Sequence, residues 1–379
     1  MAPEKVIIDC DPGVDDFFAL LLALGSPDQI EILGITICAG GNGKDVHKLA
    51  LNACSALHLC GKAEQDPSLE ASPSKESNSN MIKVVEGASV SLTGVDRGGE
   101  GLQVHGPTNG LGDIVLPDHA CSEEPLQHEY RSSSATSSGG AAKFLIDTCA
   151  ASPGEITLVT LGPLTNVAEA LRGSASFKST VRRVVMMGGA ATGGGQRREF
   201  GNISPTAEAN VYNDPEAAKL VFSSFLDITM AGLNVTHQLD MCILRERLLR
   251  EAGEAGRLCH AISEHYVNIL TSWGNKQIGV HDPTAVLAIT RPDLFESEIV
   301  CVDVETTGTL TSGQTVVDWR GHWGRAAQTK VLLSVDAKAA HEEIVTRIAS
   351  LKQFPELGEL RKAGAPQVSG DSRAQMASL

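Results

Sequence analysis

Short runs of apolar, β-branched residues alternate along this chain with stretches of helical period. Val6-Ile7-Ile8-Asp9 opens the series as a short buried strand. Pro12-Gly13 turns the chain, and Phe17 to Leu24 supplies good helix formers up to the stop Gly25-Ser26-Pro27. Ile30 to Cys38 reads as a second buried strand, and 45–59 sets Val46, Leu49, Ala50, Ala53 and Leu57 at helical spacing. Further strands are predicted at 155–160, 181–187 and 227–232, with helices at 140–151, 164–172 and 214–225. A β-rich stretch at about 298–335 and a helix at about 337–352 close the pattern. Strands that alternate with helices predict an α/β fold, an open and mainly parallel central sheet covered by helices on both faces. There is no internal repeat.

Two segments break this rhythm. Residues 61–80 are rich in Ser, Pro, Asn and Glu, and 118–140 ends in a Ser- and Gly-rich run. Both read as solvated insertions that cannot bury enough apolar surface to order themselves. The chain is therefore expected to form one domain over 1–360, with these insertions and a flexible tail at 361–379. Its 379 residues, 42% hydrophobic, suffice for a large core.

A formal net charge of −15 argues against a nucleic-acid partner, which needs a basic surface. It serves solubility first, and it suits an uncharged ligand better than a polyphosphate. No apolar run reaches the roughly 18 residues of a membrane span, and Met1 to Lys5 lacks the regions of a signal peptide. A soluble cytoplasmic protein is expected. None of the nine cysteines stands in a C-x-x-C pair, so a zinc ribbon or redox pair is unsupported, and most thiols are expected in the core.

The chemistry concentrates at the end of the first strand. Ligands of open α/β sheets bind beyond the carboxyl ends of the strands. Asp9 and Asp11 fall there, with Asp15 and Asp16 at the start of the next helix. A helix N-cap explains one of the latter pair but not Asp9 and Asp11 beside Pro-Gly. Clustered carboxylates repel unless something offsets their charge, and a bound cation does so most simply. Oxygen ligands without Cys or His point to a hard ion, and calcium tolerates six to eight ligands in loose geometry. An EF-hand does not fit, because Gly13 comes one place too early. A magnesium phosphotransferase that reads the strand-Asp-x-Asp start is the alternative, though Gly13 stands where such enzymes carry Thr or Val.

Asp9-Cys10-Asp11-Pro12-Gly13-Val14-Asp15-Asp16 resembles the N-terminal signature of the inosine-uridine-preferring nucleoside hydrolases. Ala39-Gly40-Gly41-Asn42, Val104-His105-Gly106, Leu161-Gly162-Pro163-Leu164-Thr165-Asn166 and Met186-Met187-Gly188-Gly189 follow in the family's order. So do Gly201-Asn202, Ala207-Glu208-Ala209-Asn210, Asn213-Asp214-Pro215, Val235-Thr236-His237-Gln238 and Val280-His281-Asp282-Pro283. As an ordered set over about residues 5 to 350 these pieces are specific, although each is weak alone.

The resemblance implies a Rossmann-like fold and cleavage of the N-glycosidic bond of purine or pyrimidine ribonucleosides, a step of nucleoside salvage. It implies calcium held by Asp11, Asp16, Asp282 and the backbone carbonyl of Leu161, with Asp9 orienting its neighbours. Asp15, Asn42, Asn202, Glu208 and Asn210 would meet the ribose hydroxyls; for Asn202 and Asn210 a turn or capping role is the alternative. Asp11 would take the proton of the attacking water, and His281 would protonate the departing base unless it only caps a helix. His105 and Met187, with the weaker candidates His237, Tyr266 and Trp273, would surround the base. The nucleoside is the expected partner, with a homodimer or homotetramer as the assembly.

Overall fold

The computed structural model describes residues 2–62, 81–95, 97, 104–116, 140–191, 201–225, 227–351 and 353–362. The bulk of both polar insertions, the Gly-rich 193–195 and the tail from 363 lie outside the described residues.

Among the described residues the strands are β1 (Glu4–Cys10), β2 (Ile30–Ile37), β3 (Lys83–Glu86), β4 (Ile114–Val115), β5 (Ile156–Thr160) and β6 (Val181–Met187). After them come β7 (Ile228–Ala231), β8 (Phe295–Val304), β9 (Thr315–Asp318), β10 (Thr329–Val335) and β11 (Arg361–Lys362). Nine of them form one sheet in the order β3-β2-β1-β5-β6-β7-β10-β8-β9. Every pair from β3 to β10 is parallel, and β8 runs antiparallel to both its neighbours. The chain thus winds outward through β2 and β3 on one side of β1, then returns to β5 and winds outward on the other. The order reverses between β1 and β5, which makes the crevice beyond their carboxyl ends the place for a ligand.

Helices α1 (Val14–Leu24), α2 (Val46–Leu59), α3 (Gly140–Ala151), α4 (Thr165–Gly173), α5 (Phe177–Thr180) and α6 (Ala209–Asn213) follow the first strands. The remainder are α7 (Pro215–Ser224), α8 (Leu233–Thr236), α9 (Met241–Glu251), α10 (Gly253–Ser272), α11 (Asp282–Thr290) and α12 (Ala337–Ala349). Strand side chains alternate between two cores. Val6, Ile8 and Cys10 of β1, with Val185 and Met187 of β6, face the core built with α1, α2, α9, α10, α11 and α12. Ile7, Val184 and Met186 face the core built with α3, α4 and α7. Apolar on both faces, the strands match the buried parallel sheet that their composition predicts.

The elements read from the sequence are present within a few residues. The pair α9 and α10 and the helix α11 lie outside the elements expected from the sequence; the apolar stripe of α9 is narrow, and glycines interrupt the start of α10. That stripe is Met241, Leu244 and Leu248, and the glycines are Gly253 and Gly256. Arg361–Lys362, at the start of the segment read as a tail, pair antiparallel with Ile114–Val115. The described cysteines are free, and all but Cys242 are buried. No described helix is long and apolar enough to cross a membrane.

Candidate active site

The segment from β1 to α1 is a strand, a tight turn and a helix, so its acidic residues converge by local geometry alone. The backbone N–H of Gly13 donates to Asp16 Oδ2 at 3.0 Å and caps α1. Residue 13 is closely packed: a Cβ there would stand 2.7 Å from Asn42 Cγ and from His105 Nδ1. Asp282, the first residue of α11, meets this turn because α11 packs on α1 and β6.

One carboxylate oxygen from each of Asp15, Asp16 and Asp282 lies within 4.8 Å of the others, and all three residues are buried. Asp15 Oδ1 and Asp16 Oδ1 have no hydrogen-bond partner. Buried, unpartnered and oxygen-only, this cluster can coordinate a divalent ion. Asp11 adjoins it. Asn42 donates from its backbone N–H to Asp11 Oδ2 (3.0 Å), and from Nδ2 to both the Asp11 carbonyl and Asp16 Oδ2 (2.8 Å each). Cβ atoms at Gly40 and Gly162 would come within 2.3 and 2.6 Å of the Asp11 carboxylate, so only glycine lets it sit there.

Burial first, then mutual repulsion, pushes these carboxyls up. Asp11 and Asp282 rise well above the ordinary carboxylate range, and Asp16 rises to about 6. Asp15 reaches about 6 by burial, offset in part by backbone hydrogen bonds. Asp9 lies deeper. Its Oδ1 accepts from Thr36 Oγ1 and from Asn166 Nδ2 (2.8 Å), and burial raises it to about 7. Asn166 also donates to the Ile37 carbonyl and accepts from Ala88 N–H, so Asp9 belongs to a strap across β1, β2 and α4.

A second group faces the cluster from β5, β6 and α6. Glu208 caps α6: Oε1 accepts from Asn210 N–H (2.8 Å), and Oε2 from Val211 N–H (3.1 Å) and Gly189 N–H (2.9 Å). Burial outweighs these bonds and raises it to about 7. Asn210, so placed, donates from Nδ2 to the Leu161 carbonyl at 2.6 Å and to the Met187 carbonyl at 3.2 Å. Asn202 is exposed and accepts from Ala209 N–H at 2.9 Å, the turn role rather than an open contact.

Two ring pairs complete the surroundings. His105 Nδ1 accepts from Val14 N–H at 3.0 Å, and its ring lies 4.8 Å from that of Tyr266. Burial, offset by the Asp16 charge, holds His105 down to about 4. His281 lies 5.3 Å from the His237 ring, with Nδ1 2.9 Å from Thr236 Oγ1. Burial first, then His237 and His105, lowers His281 to about 3. It occupies the N-cap position of α11 yet makes no side-chain capping bond.

The family model described as inosine-uridine preferring nucleoside hydrolase matches residues 6–342. The chain belongs to this family. It is a hydrolase that cleaves the N-glycosidic bond of ribonucleosides, and the phosphotransferase reading of the strand-Asp-x-Asp start is set aside. Uridine nucleosidase 1 of Arabidopsis thaliana is 35% identical over 359 residues, covering 91% of this chain and 93% of its own. The solved structure of a plant nucleoside hydrolase aligns with a TM-score of 0.73 at 30% identity, covering 92% of this chain and 99% of its own. A purine-preferring ribonucleoside hydrolase from Gardnerella vaginalis aligns with a TM-score of 0.74 at 28% identity, covering 93% and 100%.

Within this nucleoside hydrolase, Asp11, Asp15, Asp16, Asn42 and Asp282 come together, and Leu161, Met187, Glu208 and Asn210 form a connected wall. Asp15, read from the sequence as a sugar contact, stands in the compact triad with Asp16 and Asp282. Asp11 is tied to that triad through Asn42, which bonds both Asp11 and Asp16. Trp273 caps α10 in a half-exposed position. Sequence reasoning gave no role to Thr36, Asn166 or Thr236. The last two lie inside quoted motifs, and that position was the available signal.

Proposed function

We propose that this hydrolase requires calcium and accepts both purine and pyrimidine ribonucleosides, with Asp11 as general base. The convergence of buried carboxylates that includes Asp15, Asp16 and Asp282, two of them with orphaned oxygens, carries this reading. Asp11, Asp16, Asp282 and the Leu161 carbonyl would hold the ion, and Asp15 could join them. Bound there, calcium supplies the positive charge that lets these carboxylates ionise together, and positions for sugar hydroxyls and a water.

Every other step belongs to side chains. Asp15 presents its carboxylate to the ribose hydroxyls, and Asn42 and Asn210, whose Nδ2 groups are engaged, present their amide oxygens; Glu208 holds Asn210 in place. Asp11, once ionised, takes a proton from water as it attacks C1′, and developing oxocarbenium charge is stabilised by the surrounding carboxylates. The C1′–N electron pair leaves with the base. His281 stays neutral at its depressed value, so it offers the base a hydrogen bond through its outer nitrogen rather than a stored proton. The base departs as an anion held by that hydrogen bond and takes a proton from solvent, while Asp11 gives up to solvent the proton it took from water, so the reaction balances as ribose plus free base, with inversion at C1′.

Broad base preference follows from what surrounds the site. Trp319 packs against the opposite core, and Trp273 and Trp323 are each 39% exposed, which leaves the His105–Tyr266 and His237–His281 ring pairs to face the base. Relatives named for uridine and for purines share this fold, so the backbone does not set the choice.

The test is ribose release from inosine and uridine after chelation and again after calcium is restored. Full turnover by the stripped enzyme, or none from any common ribonucleoside with calcium present, sinks the reading. A second expectation concerns the sugar. 2′-Deoxyinosine and 2′-deoxyuridine should lose at least about a thousandfold in kcat/KM, because buried polar groups built for a hydroxyl lose their partner. Comparable rates would place those groups elsewhere.

A further inference from the structure

We propose that Thr236 is a positioning residue for the leaving base: its hydroxyl donates to Nδ1 of His281 and makes Nε2 the protonated nitrogen of the ring. The inference rests on the reading above, in which His281 faces the departing base. The Thr236 side chain is fully buried, and its Oγ1 stands 2.9 Å from His281 Nδ1. Its backbone is fixed on both sides, the N–H donating to the Gly232 carbonyl (3.1 Å) and the carbonyl accepting from Val280 N–H (3.2 Å). A buried hydroxyl places its hydrogen on an acceptor, Nδ1 of His281 stands at hydrogen-bond distance from it, and we take the hydroxyl as the donor of this pair. Nδ1 then turns a lone pair to Thr236, and the ring hydrogen sits on Nε2.

The other side of the ring is equally confined. A Cβ at residue 279 would lie 2.6 Å from His237 Cδ2 and 2.7 Å from His281 Cε1, so both imidazoles fit because that residue is glycine. Gly279 thus keeps the His281 ring closely packed, and donation from Thr236 selects its tautomer. A hydrogen bond from Nε2 stabilises negative charge on a departing nitrogen base, and the opposite tautomer would present a lone pair and repel it.

The experiment compares Thr236→Val with Thr236→Ser on uridine, inosine and p-nitrophenyl riboside, whose leaving group is stable as an anion. Thr236→Val should lower kcat on the nucleosides by about ten- to a hundredfold with little change in KM. It should keep p-nitrophenyl riboside turnover within about threefold, and Thr236→Ser should recover most of the nucleoside rate. Equal loss on all three substrates, or none on the nucleosides, overturns the proposal. Nitrogen NMR of ring-labelled histidine in the wild-type protein reads the tautomer without any variant. An unprotonated Nδ1 and a protonated Nε2 at His281 support the assignment, and the reverse refutes it. His281→Ala tests the underlying reading by itself. If it slows the nucleosides and p-nitrophenyl riboside alike, His281 does not serve the leaving group, and the role of Thr236 falls with it.

Discussion

Asp11→Asn lowers kcat on uridine and inosine by at least about a thousandfold at saturating calcium, while the protein stays folded. The substitution is nearly isosteric, which matters in a slot where Gly40 and Gly162 leave the carboxylate no spare room. An amide oxygen at the same position can still accept from Asn42 N–H, so the link to the 42 loop survives. What disappears is the basic oxygen that takes the proton from water, together with one negative charge from a buried acidic cluster. Removing a desolvated, repelled charge does not destabilise the metal-free protein, so its melting temperature is expected to hold or rise. Calcium affinity should fall as one of the proposed oxygen ligands is weakened, which is why the rate is compared at saturation. Turnover within tenfold of wild type would remove Asp11 from the role of base and leave Asp15 as the next candidate.

Calcium and protons should stabilise the protein in opposite pH ranges. Asp15 and Asp16 are raised from 3.8 to about 6, and Asp9 to about 7, mainly by burial. Glu208 is raised from 4.5 to about 7 for the same reason. Between the unfolded and folded values the native state binds more protons than the unfolded chain, so metal-free stability falls as pH rises. That contribution is complete below the unfolded values and is lost through about pH 6 to 7. The chelated protein should melt at least about 3 °C lower at about pH 7.5 than at about pH 5. An ion replaces those protons, so calcium should raise the melting temperature at neutral pH and do little at about pH 5. At a hundredfold excess over Kd the gain is about 2.7 kcal/mol. Calorimetry with chelator and with calcium at both pH values checks this. A chelated protein that becomes more stable from pH 5 to 7.5, or is indifferent to calcium at 7.5, would show that the cluster is not an ion site.

Much of this site could be read from one contiguous stretch. Asp9, Asp11, Asp15 and Asp16 sit on a strand, a turn and the first turn of a helix, and covalent adjacency brings them together in any α/β fold. The alternation of buried strands with helical periods likewise announced a parallel sheet covered on both sides, since each strand had to be apolar on both faces. The ordered motifs from Asp9 to Pro283 carried the chemistry because residue type and spacing suffice to propose it.

Other features depended on contacts between distant segments, where local propensity has no say. The reversal of strand order between β1 and β5 put the crevice at Asp11 and Leu161, and that order is a matter of packing. Whether Asp11 or Asp15 closes on Asp282 depends on the seating of α11 against α1, which turns carboxylates on neighbouring residues in different directions. Helix α9 has only the narrow stripe Met241, Leu244 and Leu248, which is sufficient once it has a core to lie on. Thr236 and His281 meet only through the pairing of residue 236 with residue 280. The chain's own order of residues determined which chemical groups were available at the strand ends; three-dimensional packing decided which of them touch, because desolvation and hydrogen-bond geometry act through space rather than along the backbone.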